Sequence, residues 1–416
     1  MRKAETRKEV RSERRTEPRD LGMSEWQTCA VPDSFVKNKV GRQNQVPAKE
    51  IAEVGRFPVV DQGQKFVAGY CDDESKVIDF DLPLIIFGDH TRCFKYVDFP
   101  FVLGADGTKV LLPNKKLYDP RFYYFALLAL EIPSRGYNRH FTILSERSLP
   151  LPTLPEQRKI AHILSTVQRA IEAQERIIQT TTELKKSLMH KLFTEGLRNE
   201  PQKQTEVGLV PESWEVAELG LLAKVGNGST PKRANEAYWE GGTIPWLNSA
   251  KIHDRFITEA EQFVTSQAVK ECHLPKVAPN SLLIAITGQG KTLGNSAITR
   301  IETCINQHLA YAQFHSPKIV PDFVLWFMQT RYDYLRSIAL GGGSTKGALT
   351  CGFLKTLLIP VPSTDEQKEI VALFQTLEDK QGSAASKQST LQDLFRTLLH
   401  ELMTAKTRVH DSALAA

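Results

Sequence analysis

Apolar residues recur at alternating steps of four and three along two long stretches of the chain. From Ile160 the steps visit Ile160, Leu164, Val167, Ile171, Gln174, Ile178, Thr181, Lys185, Leu188 and Leu192, and seven of these ten are apolar. From Ile370 they visit Ile370, Phe374, Leu377, Gln381, Ala384, Gln388, Leu391, Phe395, Leu398 and Leu402, and eight of ten are apolar. A 3.5-residue period held this long predicts coiled-coil helices rather than strands. Forty helical residues span about 60 Å. Neither stripe can be buried by its own helix, so the two are expected to pack together. The polar seam positions Gln174, Thr181, Gln381 and Gln388 fall at similar depths and suit a register-setting role. The competing reading is two unrelated surface helices.

The two stretches are copies. LPLPTLPEQRKI at 149–160 recurs as IPVPSTDEQKEI at 359–370, and the offset of 210 continues without a gap to LMHKLFT and LLHELMT at 188–194 and 398–404. Over these 46 positions 12 are identical, among them Pro150/Pro360, Pro152/Pro362, Glu156/Glu366, Gln157/Gln367, Leu184/Leu394, Leu188/Leu398 and Leu192/Leu402. Each copy opens with two prolines that keep the backbone extended. A Thr or Ser then precedes a Glu by three residues, the pattern of a capping box, with acids in the first helical turn.

Between the helices lie two blocks of mixed pattern. In the first, segments 57–61, 76–80, 82–87 and 100–103 read as short strands and 122–130 as a buried helix. In the second, 282–286 reads as a strand and 322–339 as a helix. Both blocks run strands, helix, loop, Pro-x-Pro, long helix, so the duplication covers the whole unit. The expected fold is α+β: two mixed α/β domains in tandem repeat, separated by two long helices that form an antiparallel coiled coil. The expected bounds are a charged tail at 1–23, a domain at 24–148, a spacer helix at 149–198, a domain at 199–358, a second spacer helix at 359–405, and a tail at 406–416.

Composition changes this picture little. The 416 residues are 41% apolar and 24% charged, as in an ordinary globular protein. No apolar run is long enough to cross a bilayer, and the start lacks the apolar core of a secretory signal. Six scattered cysteines without a CxxC pair read as cytoplasmic thiols, not a zinc site. A net charge of +5 permits nucleic acid binding without requiring it. The first twenty residues, with eight Lys or Arg and no hydrophobic face, read as a mobile tail, with a backbone-touching arm as the alternative.

Catalytic signals are weak. SLLIAITGQGKT at 281–292 looks like a phosphate loop, but the glycine needed five residues before Gly290 is Ala285. The residues after it, LGNSAI, lack the helix whose N-terminus would hold the phosphate. The bland reading is a turn between strands. A third is an exposed polar loop, with Thr287, Gln289, Lys291 and Thr292 meeting DNA. There is no nucleophile elbow, no paired histidine metal spacing, no Asn-Pro-Pro-Tyr or Asp-Pro-Pro-Tyr, and no convincing nuclease cluster. Binding is the default role.

The paired Pro-x-Pro…Glu-Gln helices, with Trp214–Gly220, Gly228-Ser-Thr-Pro231, Tyr238-Trp239 and Ile244-Pro-Trp246, resemble the specificity subunit of type I restriction-modification systems. The first block carries Gly55–Gly63 and Leu82–Thr91, a variant also seen in such subunits, and departs from the Gly-Ser-Thr-Pro…Ile-Pro-Trp pattern. The resemblance covers about residues 26–404. It implies two target recognition domains, each reading half of a split double-stranded DNA sequence. The helices would be an antiparallel spacer, and a 60 Å rod spans at most about 18 base pairs. It also implies two docked methyltransferase subunits using S-adenosylmethionine, and restriction subunits using ATP and magnesium. This cytoplasmic chain would hold no cofactor and no catalytic group, and would meet no membrane. The alternatives are a coiled-coil scaffold with two non-DNA ligand domains and, as an enzyme, a P-loop hydrolase or a lone nuclease.

Base edges are read by side chains with paired donors and acceptors. The candidates in the first block are Gln62, Lys65, His90, Arg92, Lys95, Arg135, Asn138, Arg139 and His140. In the second they are Asn227, Lys232, Arg233, Asn248, Lys251, Gln289, Lys291, Asn306, Gln307 and Lys346. For each, phosphate contact or plain solvated surface is the competing reading. For Tyr137, Trp239 and Trp246 it is burial in the domain core.

Overall fold

The computed structural model describes residues 26–104, 107–134, 136, 138–288, 290–341 and 347–409. The charged tail expected at 1–23 lies outside these residues, as do Arg135, Tyr137, Gln289 and Lys346. The chain divides into two compact units. One comprises residues through Ala173 together with those from Gln388 onward; the other is Gln174–Lys387.

The first unit holds strands β1 (Gln27–Ala30), β2 (Phe35–Val36), β3 (Gln45–Val46), β4 (Phe57–Val60), β5 (Gly69–Cys71), β6 (Leu84–Gly88), β7 (Phe94–Val97), β8 (Val102–Gly104), β9 (Thr108–Pro113) and β10 (Ser148–Leu151). They form sheets β2-β9-β6-β7 and β3-β8-β4-β5 and the pair β1-β10. The segment expected as a strand at 76–80 contributes only a single bridge, Ile78 to Phe101. Its polar start closes a short 3-10 turn instead, where Asp73 accepts from the Ser75 amide at 3.1 Å.

The second unit adds β11 (Gln202–Thr205), β12 (Gly208–Pro211), β13 (Glu215–Glu218), β14 (Ala223–Asn227), β15 (Ile244–Leu247), β16 (Phe256–Ile257), β17 (Gln262–Val264), β18 (Ser281–Ala285), β19 (Ser296–Thr299), β20 (Cys304–Ile305), β21 (Leu309–Phe314) and β22 (Leu358–Val361). Its sheets are β14-β21-β18-β19-β16 and β17-β15-β20, with pairs β11-β12 and β13-β22. The duplication is visible in this order: β2-β9-β6-β7 matches β14-β21-β18-β19, and β5-β4-β8 matches β17-β15-β20. β3 and β16 are the additions peculiar to each copy.

The central strands explain the layering. Every residue of β6 and β18 is buried, so apart from Ser281 at the start of β18 they read as apolar runs. Alternate side chains still part to opposite faces. Ile85 and Phe87 join the core beneath the helix Pro120–Leu128, whereas Leu84 and Ile86 pack with Val60 and Leu103 of the other sheet. Leu282 and Ile284 likewise face the helix Pro321–Thr330, and Leu283 and Ala285 face Leu247 and Ile305. Each domain is thus helix, sheet, sheet. The single helix expected over 322–339 is two, Pro321–Thr330 and Tyr332–Leu340, broken at Arg331. There the guanidinium turns back to the Val207 carbonyl at 2.5 Å.

The long helices span Leu154–Glu195 and Thr364–Met403. None of the twenty seam positions is exposed. In the first unit Ile160 and Leu164 pack with Leu398 and Leu402, and Phe395 sits edge-on to Phe125. In the second unit Leu188 and Leu192 pack with Ile370, Phe374 and Leu377. The start of one helix therefore meets the end of the other, and the coiled coil is antiparallel. Val167, Ile171, Ile178 and Leu391 are half-buried on the same stripe. Two of the polar seam groups are partnered: Gln381 donates to Thr182 at 2.8 Å, and Lys185 pairs with Glu378 at 3.2 Å.

The Pro-x-Pro segments do more than stay extended. β10 pairs with β1, placing Pro150 opposite Thr28, and β22 pairs with β13, placing Pro360 opposite Val216. The Glu-Gln that follows locks each helix start. Gln157 is wholly buried; it accepts from the Asp119 amide at 2.8 Å and donates to the carbonyls of Leu117 and Pro152, both at 2.9 Å. Gln367 does the same with Val320 at 2.8 Å, Lys318 at 2.7 Å and Pro362 at 2.9 Å. The Glu side chains do not close a capping box. Glu156 accepts from the Trp26 indole at 3.2 Å, and Glu366 from that of Trp214 at 3.2 Å. Arg408 pairs with Glu156 at 2.7 Å, so the stretch expected as a tail from 406 is anchored as far as this residue. Arg198, 210 positions earlier, lies 4.0 Å from Glu366.

Candidate nucleic-acid interface

Strand register brings the candidate loops of each domain to one end of its sheets. In the second domain Asn227 of β14 lies opposite Ala310, and Ala285 of β18 lies opposite Leu309 at the start of β21. Leu247 and Ile305 end the parallel pair β15-β20 side by side. Loops 228–243, 248–255, 286–295 and 306–308 all leave from that end. In the first domain Gly88 lies opposite Thr108 and Val60 beside Leu103, which gathers loops 61–68 and 89–93.

The residues within these loops differ in availability. In the second domain Asn227, Lys232, Arg233, Lys291 and Gln307 are exposed. Asn306 is 5% exposed and accepts from the His308 amide at 3.0 Å, which withdraws it from the surface of the loop. Asn248 caps its own 3-10 turn through the Ala250 amide at 2.8 Å. The Lys251 ammonium is held by Asp254 at 2.8 Å and Glu261 at 3.2 Å, and the bond to Asp254 above all lifts its pKa.

Gln307 belongs to a chain of polar groups. It accepts from Thr230 at 2.5 Å and touches His308 at 3.2 Å, whose other ring nitrogen lies 2.5 Å from the Thr287 hydroxyl. His308 and Thr230 were not among the base-reading candidates. The only signal for His308 was its place beside Gln307 in a loop between two apolar strands.

The Gly-Ser-Thr-Pro and Trp motifs meet in one place. A Cβ at Gly228 would run into the Ile305 carbonyl oxygen, so only glycine lets this loop cross β20. The buried indole of Trp246 donates to Ser229 at 3.2 Å, and that of Trp239 to Lys232 at 3.3 Å. The expected burial holds for Trp246, while Trp239 is half-buried. The decoy at 281–292 falls on a hairpin: β18 pairs with antiparallel β19, and the described residues between them form no helix to receive a phosphate. Tyr332 steadies this loop by donating to the Lys291 carbonyl at 2.8 Å, and Arg336 also donates to it, at Gly290.

In the first domain more candidates are spent internally. Lys95 is 4% exposed, bound to the Lys65 carbonyl at 2.5 Å and to Asp61 at 3.4 Å. Burial pushes its ammonium below the usual lysine range and Asp61 opposes the shift. His140 is fully buried; its amide and its Nδ1 both lie 2.9 Å from the Asp89 carbonyl. Arg92, at φ 63°, is exposed but donates to the Ile132 carbonyl at 2.9 Å. Gln62 accepts from the His90 amide at 3.2 Å. Lys65, Asn138 and Arg139 remain exposed.

Among the described residues no group of three or more His, Cys, Asp or Glu could hold a metal. No described helix is long and apolar enough to cross a membrane.

Two duplicated domains that bring amide, hydroxyl and cationic side chains to one sheet end, borne on antiparallel helices, define a recognition protein. The chain belongs to the family of type I restriction modification DNA specificity domains, which matches residues 23–182 and 211–391. It is 28% identical over 322 residues to a putative type I restriction enzyme MjaX specificity subunit of Methanocaldococcus jannaschii, covering 74% of this chain and 73% of that one. It is 26% identical over 340 residues to the EcoR124I/EcoR124II specificity subunit of Escherichia coli, covering 79% and 81%. The S subunit of a type I restriction-modification system from M. genitalium superposes with a TM-score of 0.61 at 18% identity, over 92% of this chain and 98% of that one. The role of the chain is DNA recognition as a type I specificity subunit, and the catalysis of such complexes lies in other subunits.

Proposed function

We propose that each domain, with bounds near 24–148 and 199–358, reads one half of a bipartite double-stranded DNA target through the loops at its sheet end. The two long helices set the gap between the halves and dock two methyltransferase subunits. Those subunits would supply S-adenosylmethionine, and restriction subunits ATP and magnesium. The observation that carries this reading is the duplication itself: two domains of one topology, each with its loops at the same sheet end and each locked to a spacer helix by the same glutamine. The repeat also favours two copies of one partner. Leu184 and Leu394, equivalent in the repeat, are 47% and 44% exposed, as apolar docking residues would be.

Adenine methylation mapped across a genome with and without this chain reads the target directly. A bipartite motif that vanishes without the chain is expected. Seven residues inserted into both helices add about 10 Å of rise and should widen the gap by about three base pairs, each half-sequence staying the same. An unchanged gap refutes the spacer role.

A further inference from the structure

Among the described candidates Arg233 stands apart in how it is held. Its guanidinium lies 3.8 Å from the Trp239 ring centroid and 4.9 Å from that of Trp246. The two indoles meet at 88° with centroids 5.2 Å apart, making a corner around it. Nη2 donates to the Gln262 carboxamide at 2.6 Å. All three partners are neutral, and among the described residues no carboxylate pairs with Arg233. Its positive charge is therefore undiminished, in contrast to Lys251, which two carboxylates neutralise.

The cradle is itself fixed. Trp246 is 2% exposed, and its indole is bonded to the same loop that carries Arg233. Trp246 and Gln262 also line a cleft of about 150 Å³ with Asn248 and Lys251. An exposed arginine anchored only by two rings and an amide has lost its rotamer freedom before any ligand arrives. Nε, Nη1 and the second N–H of Nη2 have no hydrogen bond among the described residues, which leaves one fork, Nη2 with a neighbouring nitrogen, open to a ligand. A positioned guanidinium fork matches the O6 and N7 acceptors of guanine in the major groove.

We propose that Arg233 is the residue that reads a guanine in the half-sequence recognised by the second domain, with Trp239, Trp246 and Gln262 as its positioning residues. This rests on the reading of the chain as a bipartite DNA recognition subunit.

The test uses the full chain co-expressed with its methyltransferase subunits, with methylated adenines mapped for wild type, Arg233→Ala and Arg233→Lys. Both variants should lose preference at a single guanine position of one half-sequence, by roughly five- to hundred-fold. The other half, the gap and the remaining positions should stay as in wild type. Lysine keeps the charge but not the fork, so Arg233→Lys separates base reading from phosphate contact. An unchanged motif in Arg233→Lys overturns the proposal, whether methylation is normal or uniformly weaker. So does a fall in melting temperature with the motif intact, the mark of a structural role. A wild-type complex that yields no bipartite motif would instead sink the underlying functional reading.

Discussion

The two helix starts and the two loop ends were copied together and then diverged at different rates. At the helix starts the two glutamines agree bond for bond, each taking one amide and two carbonyls, and Glu156 and Glu366 each take an indole. At the loop ends they share the topology but spend their polar side chains differently. The first domain uses Lys95 and His140 to hold its own loops, whereas the second leaves Arg233 and Lys291 exposed. A joint that locks domain to helix tolerates one solution. A surface proposed to read a sequence is useful only if it changes.

The joint yields the largest expected effect. Gln367→Leu fills the space but strips partners from three backbone groups, one in a buried bond and two in half-buried ones, and should cost about 2 to 4 kcal/mol of stability. Gln157→Leu should cost the same to within about 1 kcal/mol, since its bonds are the same. Denaturant unfolding of both variants checks this, and a marked inequality would show that the two joints are not equivalent.

A finer contrast lies at the repeat-related arginines. Arg408 meets Glu156 through two nitrogens at 2.7 and 3.1 Å, with both side chains largely buried. Arg198 is 58% exposed and 4.0 Å from Glu366. Arg408→Ala is expected to destabilise by about 2 kcal/mol and Arg198→Ala by less than about 0.5 kcal/mol. Equal effects in thermal unfolding would contradict the geometric difference.

The smallest effect concerns the internal use of Lys95. Because burial lowers its pKa below 10.5, the unfolded chain holds this proton to higher pH than the folded chain. Stability therefore rises with pH between the depressed value and 10.5, and the unfavourable contribution is full below that window. Relative to Lys95→Met, wild type should gain stability as pH climbs toward 10.5. Urea titrations at several alkaline pH values measure the difference, and parallel curves would place the ammonium in water.

Much of this was legible in the chain. The 3.5-residue stripe, the offset of 210 and the Pro-x-Pro…Glu-Gln grammar identified the helices, their pairing and the duplication, because burial of a long apolar seam is a periodic demand that a sequence must write out. The central strands at 82–87 and 282–286 were legible for the same reason: both faces are buried, so every residue is apolar.

The role of Gln157 and Gln367 was not, since a buried amide looks like a surface one until its partners, two of the three from a distant segment, are in place. Nor was the fate of Lys95, His140 and Asn306, which share their composition with exposed loop residues and differ only in what folds over them. Gln262 gave no signal at all; it matters because β17 pairs with β15, bringing it opposite Trp246. Periodic burial is a local property and was determined by the sequence alone. Which polar groups stay free to meet DNA depends on contacts between residues far apart in the chain, and only the tertiary structure decided that.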